Sequence, residues 1–498
     1  MQLFAQQKTE LKPLVLKADN FKHYVDYFNG MEDENIAGLI PNAKAWDWMK
    51  ANIPLFECPQ QNFEEMFYFR WWTLRKHIIK TPVGLALTEF LINRSYADKY
   101  NLIACAFGHH LNEARWLHDQ QLLDDYTKVW FRGDSGKPMK KFHGFSSWAA
   151  AAIYNRYLVN DDKKYVVGML PDLDADYKVW ETEKKQPNGL FWQTDVKDGM
   201  EETISGGRRE KNERPTINSY MYGNAIAISK IADLAGNKTL GNKYQLKADT
   251  LKDLIQNKLW NDKTQFFETL KQTDTLANVK EEVGFTPWYF NLPDAHKNAA
   301  WASVTDTKIF NAPYGITTAD RSSPQFRTHG CCKCEWDGAV WPFATSQTLT
   351  AMANLMNNYQ QNVVADSNYF NLLQTYVESQ YHRGRPYVGE YLDEKNGFWL
   401  MGDAERSRYY NHSTFNDLII TGLIGLRPRA DEVIEVNPLI PQNKWDWFCL
   451  DNVLYHNKLI TIIWDKDGTK YKLGKGFSVW VNGKKMASAD KITKLEIK

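Results

Sequence analysis

The stretch FWQTDVKDGMEETISGG, residues 191–207, places Asp198, Glu201 and Glu202 within five positions, behind Phe191 and Trp192 and ahead of a glycine pair. A second acidic position, Glu390, stands in GRPYVGEYLDEKNGFWL directly after a glycine and between Tyr387 and Tyr391. Carboxyls this far apart in a chain can serve one reaction. Hydrolysis of a glycosidic bond needs one protonated carboxyl to release the leaving oxygen and one ionised carboxylate to activate water or attack the sugar. Crowding of like charge around Glu201, with Phe191 and Trp192 excluding water, raises a carboxyl pKa and suits a general acid. Glu201 is therefore expected to be the acid and Glu390 its partner, with Asp198 and Trp192 close to the substrate. Asp393, Glu394 and Lys395 read as a solvated turn. The competing reading makes both acidic stretches ordinary surface loops.

The composition narrows the partners. The 498 residues carry 61 basic and 60 acidic side chains, so the basic footprint of a nucleic-acid binder is missing and a neutral partner is favoured. Aromatic residues make up 14% of the chain, including 19 Trp. Many stand beside charged groups, as in YFRWWTLRKH, ARWLHD, CEWDGAVWP and NKWDWF. Flat apolar faces edged by hydrogen-bonding groups suit a sugar ring, whose C–H faces stack while its hydroxyls need donors and acceptors. An oligosaccharide or polysaccharide is the expected partner, with no cofactor and no metal. No run of eighteen apolar residues is present, so no spanning helix is expected. The N-terminal MQLFAQQKTELKPLV is read as the remnant of a secretory signal ending near Ala5, which implies a periplasmic or secreted location.

The elements that must position these groups are mostly helical. From about residue 63 to 427, apolar residues recur at three and four spacings in segments such as FEEMFYFRWWTLRKHII, NEARWLHDQQLLDDYTKVWF, SWAAAAIYNRYLV, TINSYMYGNAIAISKIADLAG and AVWPFATSQTLTAMANLM. Long loops rich in Gly, Pro and aromatics separate them, and long structured loops carry function. Trp288, in EVGFTPWYFNLP, is a further candidate contact. A closed ring of helical hairpins, an (α/α)6 barrel, accounts for both features. Residues 428–498 alternate apolar and polar positions around KDG and NGK turns, which predicts a small C-terminal antiparallel β domain. Residues 1–62 are mixed and are expected to pack on the barrel.

The ordered series GMEETISG, CEWDGAVWPFATSQTL, GEYLDEKNG and NHSTFNDLIITGLIGL resembles clan G of the glycoside hydrolases. That clan contains the inverting trehalases, the processing α-glucosidases and the mannosylglycerate hydrolases, all (α/α)6 barrels. The resemblance implies a general acid at Glu201, where the clan carries Asp, and a general base at Glu390. It implies a sugar subsite lined by Trp336, Asp337 and Trp341, closed by His412. The helix EEMFYFRWWTLRKH takes the place of a clan helix that carries an Asp absent here, so that Arg70, Trp71 and Trp72 would frame the sugar with different hydroxyl contacts. The overall texture resembles bacterial trehalase-like and β-L-arabinofuranosidase-type barrels, which implies a substrate other than trehalose. The expected activity is exo-acting, inverting hydrolysis of a terminal sugar from an oligosaccharide or plant-type glycan.

Other motifs compete. GHHLNEARW sets His109, His110 and Arg115 beside Trp116, and paired histidines invite a metal, although core or substrate-contacting histidines are commoner. HGCCKCEW gathers His329 and three thiols, for which packing or a disulfide is the better reading, because adjacent cysteines chelate one ion poorly. A polysaccharide lyase on an α/α toroid would use Tyr220, His109, His110 and Arg115 for proton abstraction and uronate neutralisation. A glycan-binding barrel without catalysis is the third reading.

Overall fold

The computed structural model describes residues 13–36, 38–331 and 334–498; the signal remnant near Ala5 lies outside the described residues. Its longer α-helices are α1 (Lys22–Asn29), α2 (Ala45–Asn52), α3 (Gln61–Lys76), α4 (Phe107–Ala114), α5 (Gln121–Arg132), α6 (Ala149–Asn160), α7 (Leu170–Lys184), α8 (Pro215–Leu234), α9 (Lys238–Lys258), α10 (Pro342–Asn358) and α11 (Asp366–Ser379). They form the (α/α)6 barrel that the sequence implied, followed by an antiparallel sheet domain.

Burial sorts the helices into two layers. α8 starts on a proline at its first turn and is buried along nearly its whole length, from Pro215 to Ala232, which is the signature of an inner helix. α9, packed beside it, hides Gly241, Tyr244, Ala248, Leu251 and Ile255, a stripe at three and four spacings that leaves the opposite face to water. Its start is capped by Asn237, whose side chain accepts the Leu240 N–H at 3.1 Å. α10 also opens on a proline and is buried through most of its length.

One helical reading needs correction. NEARWLHDQQLLDDYTKVWF is not one helix: α4 ends at Ala114 and α5 starts at Gln121. Gln120 holds the break open by donating to the carbonyls of Arg115 (3.2 Å) and Leu117 (2.5 Å), while Arg115 and Trp116 reach away to Asp417. STFNDLIITGLIGL winds as a π-helix over Leu418–Leu423. Its approach is fixed by Glu113, whose carboxylate accepts the N–H groups of Phe415 (3.0 Å), Asn416 (2.9 Å) and Asp417 (3.0 Å). α7 has no counterpart in the sequence reading.

The C-terminal sheet contains β2 (Trp447–Tyr455), β3 (Lys458–Asp465), β4 (Gly476–Val481) and β5 (Lys484–Ala489), with β1 (Leu55–Glu57) from the N-terminal stretch paired along the outer side of β2. The β2–β3 and β4–β5 turns put His456 and Asn457, then Asn482 and Gly483, at positive φ, the geometry of tight two-residue hairpins and the reason for NG in the second. Where the β2–β3 register shifts, buried Asp451 accepts the N–H groups of Leu14, Val15 and Leu16. Among the described residues, no helix is long and apolar enough to cross a membrane.

Glu113→Ala leaves three buried N–H groups without an acceptor and should cost about 2–5 kcal/mol, given roughly 1–3 kcal/mol for each unsatisfied group and partial relaxation. Glu113→Gln, which keeps an acceptor oxygen, should cost less. Thermal unfolding of both variants checks the order.

Candidate active site

Loops from five parts of the chain meet over one cavity of about 270 Å³. Its lining includes Glu89, Glu201, Glu390, Trp341, Tyr410 and His412. Each of the three carboxyl residues is supplied by a separate segment.

Glu201 follows a single helical turn, Asp195–Asp198, which is capped by the Thr194 side chain and ended by Gly199 at φ 74°, a conformation that favours glycine. The acidic cluster divides three ways. Asp198 is fully buried and accepts from Arg214 Nε at 2.8 Å and from the Thr216 hydroxyl. Glu202 turns outward and pairs with Arg208 at 2.7 Å. Glu201 alone faces the cavity. The loop is held further by Ser205, which bonds the Glu281 carboxylate through both N–H and hydroxyl.

Glu390 lies on an extended segment anchored one residue beyond Tyr391, where Leu392 and Val340 exchange two backbone hydrogen bonds of 3.0 Å. Its own N–H donates to the Ser407 hydroxyl at 3.0 Å, and Arg406 Nη2 forms an ion pair with its carboxylate at 2.9 Å. Residues 334–341 connect the two sides. Trp336 N–H donates to the Glu201 carbonyl at 3.3 Å, Val340 pairs with Leu392, and Cys334 N–H donates to the Tyr391 hydroxyl at 3.2 Å. Trp336 stacks on Trp341 with centroids 4.5 Å apart, and Trp341 stacks on Tyr391 at 4.7 Å and 9°. Trp341 Nε1 is buried and has no hydrogen-bond partner among the described residues.

Glu89, just past a short hairpin formed by Ile78–Lys80 and Leu85–Leu87, is the residue that the sequence reading missed. Its carboxyl accepts from the Tyr410 hydroxyl at 2.7 Å and from the Cys105 thiol at 3.5 Å. Burial pushes Glu89 up to about 8, and the charges of Glu390 and Glu201 push the same way. Burial also raises Glu201 to about 7, with Glu390 and Asp195 adding to the effect. Glu390 is raised to about 7 by burial and held back from rising further by Arg406 and Arg94. His412, buried against Tyr410 with centroids 4.0 Å apart, has its pKa lowered far below the usual range by burial and neighbouring charge, so its ring is neutral.

Of the sixteen site residues expected from sequence, the cavity brings together Glu201, Glu390, Trp341 and His412. Trp336 backs Trp341 from behind, and Asp337 is tied to the His329 N–H at 3.0 Å. Arg70, Trp71 and Trp72 are buried in the barrel: Arg70 donates to Gln380 and Ser413, and Trp72 to Asn29. His109 packs edge-on against Trp148 and Phe343, and His110 bonds Tyr126 and Asn411. Tyr220 pairs with Gln347, and Trp288 with Asn298. Trp192 lies under Lys184 and Lys211, outside the cavity lining. Arg115 pairs with Asp417 on the wall of a separate polar cavity. The residues required for a lyase are therefore divided between core and a second cavity. The solvated-turn reading of residues 393–395 also changes, because Glu394 is buried and paired with Arg327. In HGCCKCEW, Cys331 is disulfide-bonded and Cys334 is free on the cavity wall; Cys332 lies outside the described residues.

The family described as mannosylglycerate hydrolase MGH1-like glycoside hydrolase domain matches residues 99–413. The chain belongs to that family. The MGH1-like barrel is followed by a match to the glycosyl hydrolase family 65 C-terminal domain over residues 426–487. The MGH1-like chain is 61% identical to a solved structure named sialidase, with a TM-score of 0.97, covering 98% of this chain and 45% of that one. The GH63 mannosylglycerate hydrolase from Thermus thermophilus in complex with glucose has the same fold at 12% identity and a TM-score of 0.54, covering 71% of this chain and 99% of that one. The periplasmic trehalase of Escherichia coli is 23% identical over 176 residues, 35% of this chain and 29% of the trehalase. The chain spans 39% and 29% of the length of the curated relatives it matches.

Asp198→Ala strands the buried Arg214 charge and should cost about 3–5 kcal/mol, whereas an exposed pair such as Glu202–Arg208 should cost under about 1 kcal/mol when broken. Comparing unfolding midpoints of Asp198→Ala and Glu202→Ala tests the contrast.

Proposed function

We propose that the protein is an exo-acting glycoside hydrolase that removes one uncharged terminal sugar with inversion, using Glu201 as general acid and Glu390 as general base. The observation that carries this reading is the meeting of two carboxyls, Glu390 buried and Glu201 half-buried, both raised to about 7, in one cavity walled by Trp341 and Tyr410. Membership of a glycoside hydrolase family supports the same reaction class. A volume near 270 Å³ falls below the roughly 300–1,000 Å³ used by drug-sized ligands and suits a single ring, which supports action at a chain end.

Ion pairing sorts the two roles. Glu390 has Arg406 at 2.9 Å, which favours the ionised form that a base requires. Arg208, the cation whose charge acts on Glu201, is engaged with Glu202, so burial and the like charges of Glu390 and Asp195 prevail at Glu201 and favour the protonated form. Three carboxyls sharing one cavity do not all ionise near neutrality, and they titrate as a coupled set. Glu89 is the most strongly raised of them and stays protonated, offering a donor to a sugar hydroxyl. Inversion is supported by the likeness to clan G, whose members invert.

The floor chemistry also bears on the sugar. A sialic acid bound here would bring its carboxylate against Glu89, Glu201 and Glu390, and Arg406 is already engaged. Sialidase is the name of a protein of which this chain spans 45%, and the acidic floor supports a neutral terminal sugar instead.

A screen of nitrophenyl glycosides, including the β-L-arabinofuranoside, together with plant-cell-wall oligosaccharides identifies the sugar, and NMR of the first anomer released should show inverted configuration. Glu201→Gln and Glu390→Gln should each lower turnover about 10²–10⁴-fold with sugar affinity largely kept; full activity of Glu390→Gln would refute the assignment. The pH profile should be bell-shaped around pH 7, falling on the acid side as Glu390 takes a proton and on the alkaline side as Glu201 loses one. Arg406 lowers the Glu390 pKa, so Arg406→Gln should raise it and move the acid limb to higher pH. An unmoved acid limb would separate Arg406 from the base.

A further inference from the structure

The rim of the cavity carries charge opposite in sign to its floor. Tyr96 and Phe145 both line the cavity, and each has a cation against its ring. The Arg94 guanidinium stands 5.3 Å from the Tyr96 centroid, and Lys197 Nζ 5.0 Å from that of Phe145. Tyr96 is 42% exposed and Lys197 is exposed, so the pairs sit where the cavity meets solvent. Arg94 contacts the Tyr96 hydroxyl, at 3.4 Å, and the Tyr96 and Phe90 rings, and its charge acts on Glu390 from a distance; among the described residues, neither Arg94 nor Lys197 has a carboxylate within ion-pair distance. Arg406 and Arg208, by contrast, are paired with Glu390 and Glu202.

An uncommitted cation held over an aromatic face presents two recognition elements together: a flat surface for a sugar ring and a charge for a carboxylate. Two such pairs border a cavity whose interior takes an uncharged ring, so what they contact is the part of the substrate that leaves. The geometry points to a leaving-side subsite, built from Tyr96, Arg94, Phe145 and Lys197, that receives a sugar bearing a carboxylate. The glycan trimmed here is then acidic next to its neutral terminal residue. This inference rests on reading the cavity floor as the place of bond cleavage. The charge contacts are exposed to water, so their joint effect is about tenfold in affinity and falls with salt.

Tryptophan fluorescence titration with a trisaccharide that carries a neutral terminal galactose on two galacturonic acid residues, and with its carboxyl-reduced counterpart, tests the subsite directly. The acidic trimer should bind about tenfold more tightly at low salt, with the difference shrinking at high salt. The preference should vanish in the R94Q/K197Q double variant and persist in R94K/K197R, which keeps both charges. Equal affinity for the two trimers, no binding of either, or a preference that survives R94Q/K197Q overturns the proposal. Sugar release is measured separately on the wild-type protein; its absence would refute the hydrolase reading, and these binding results would still decide the subsite.

Discussion

The cost of holding ionisable carboxyls together in one largely desolvated cavity is the constraint on which the rest of the structure depends. A carboxylate taken out of water raises its own pKa, and each neighbour of like charge raises it further. Glu89 and Glu201 accept both penalties and Glu390 the first, and among the described residues only Arg406 is paired directly to one of them. Such a group stays in place only when its backbone is fixed by something stronger than the side chain's own preference for solvent. The Asp198–Arg214 pair and the Ser205–Glu281 bonds supply that on one side, and the Val340–Leu392 bridge supplies it on the other.

The segment from Cys334 to Trp341 is where these supports converge. It gives a hydrogen bond to the Glu201 carbonyl, a bridge to the Glu390 strand and, through Trp341, the aromatic wall between them. It then runs directly into α10, an inner helix buried through most of its length. Movement of either carboxyl loop is thus coupled to the best-packed layer of the barrel, so the site inherits rigidity from the core.

Much of this arrangement was legible in the chain, and the failures share a physical cause. Glu201 and Glu390 were reached chiefly through the ordered motifs, since the neighbours that marked Glu201 turn elsewhere: Glu202 outward onto Arg208, Asp198 onto Arg214, and Trp192 outside the cavity lining. The helical ring was readable because outer helices such as α9 keep a clean stripe. Inner helices are buried all round, polar side chains included, and carry no stripe, so sequence does not say which side chains face the axis, the neighbours or the cavity. Arg70, Trp71 and Trp72 were assigned to the sugar on that ambiguous surface, and they are core residues, Arg70 bonded to Gln380 and Ser413 and Trp72 to Asn29. Glu89 escaped for the opposite reason. It sits in ALTEF, past a hairpin of three-residue strands, with no acidic neighbour or motif to mark it, and only the tertiary approach of Tyr410 and Cys105 makes it distinctive.

The central claim, that burial and mutual repulsion in one cavity raise these carboxyls, is tested most directly by NMR titration of protein labelled with ¹³C at the Glu carboxyl carbons. The Glu201 resonance, assigned by its loss in Glu201→Gln, should titrate near 7 in the wild-type protein and at lower pH in Glu390→Gln, where the neighbouring charge is gone. Titration of Glu201 near the ordinary glutamate value of about 4.3, or a midpoint unaffected by Glu390→Gln, would contradict the account.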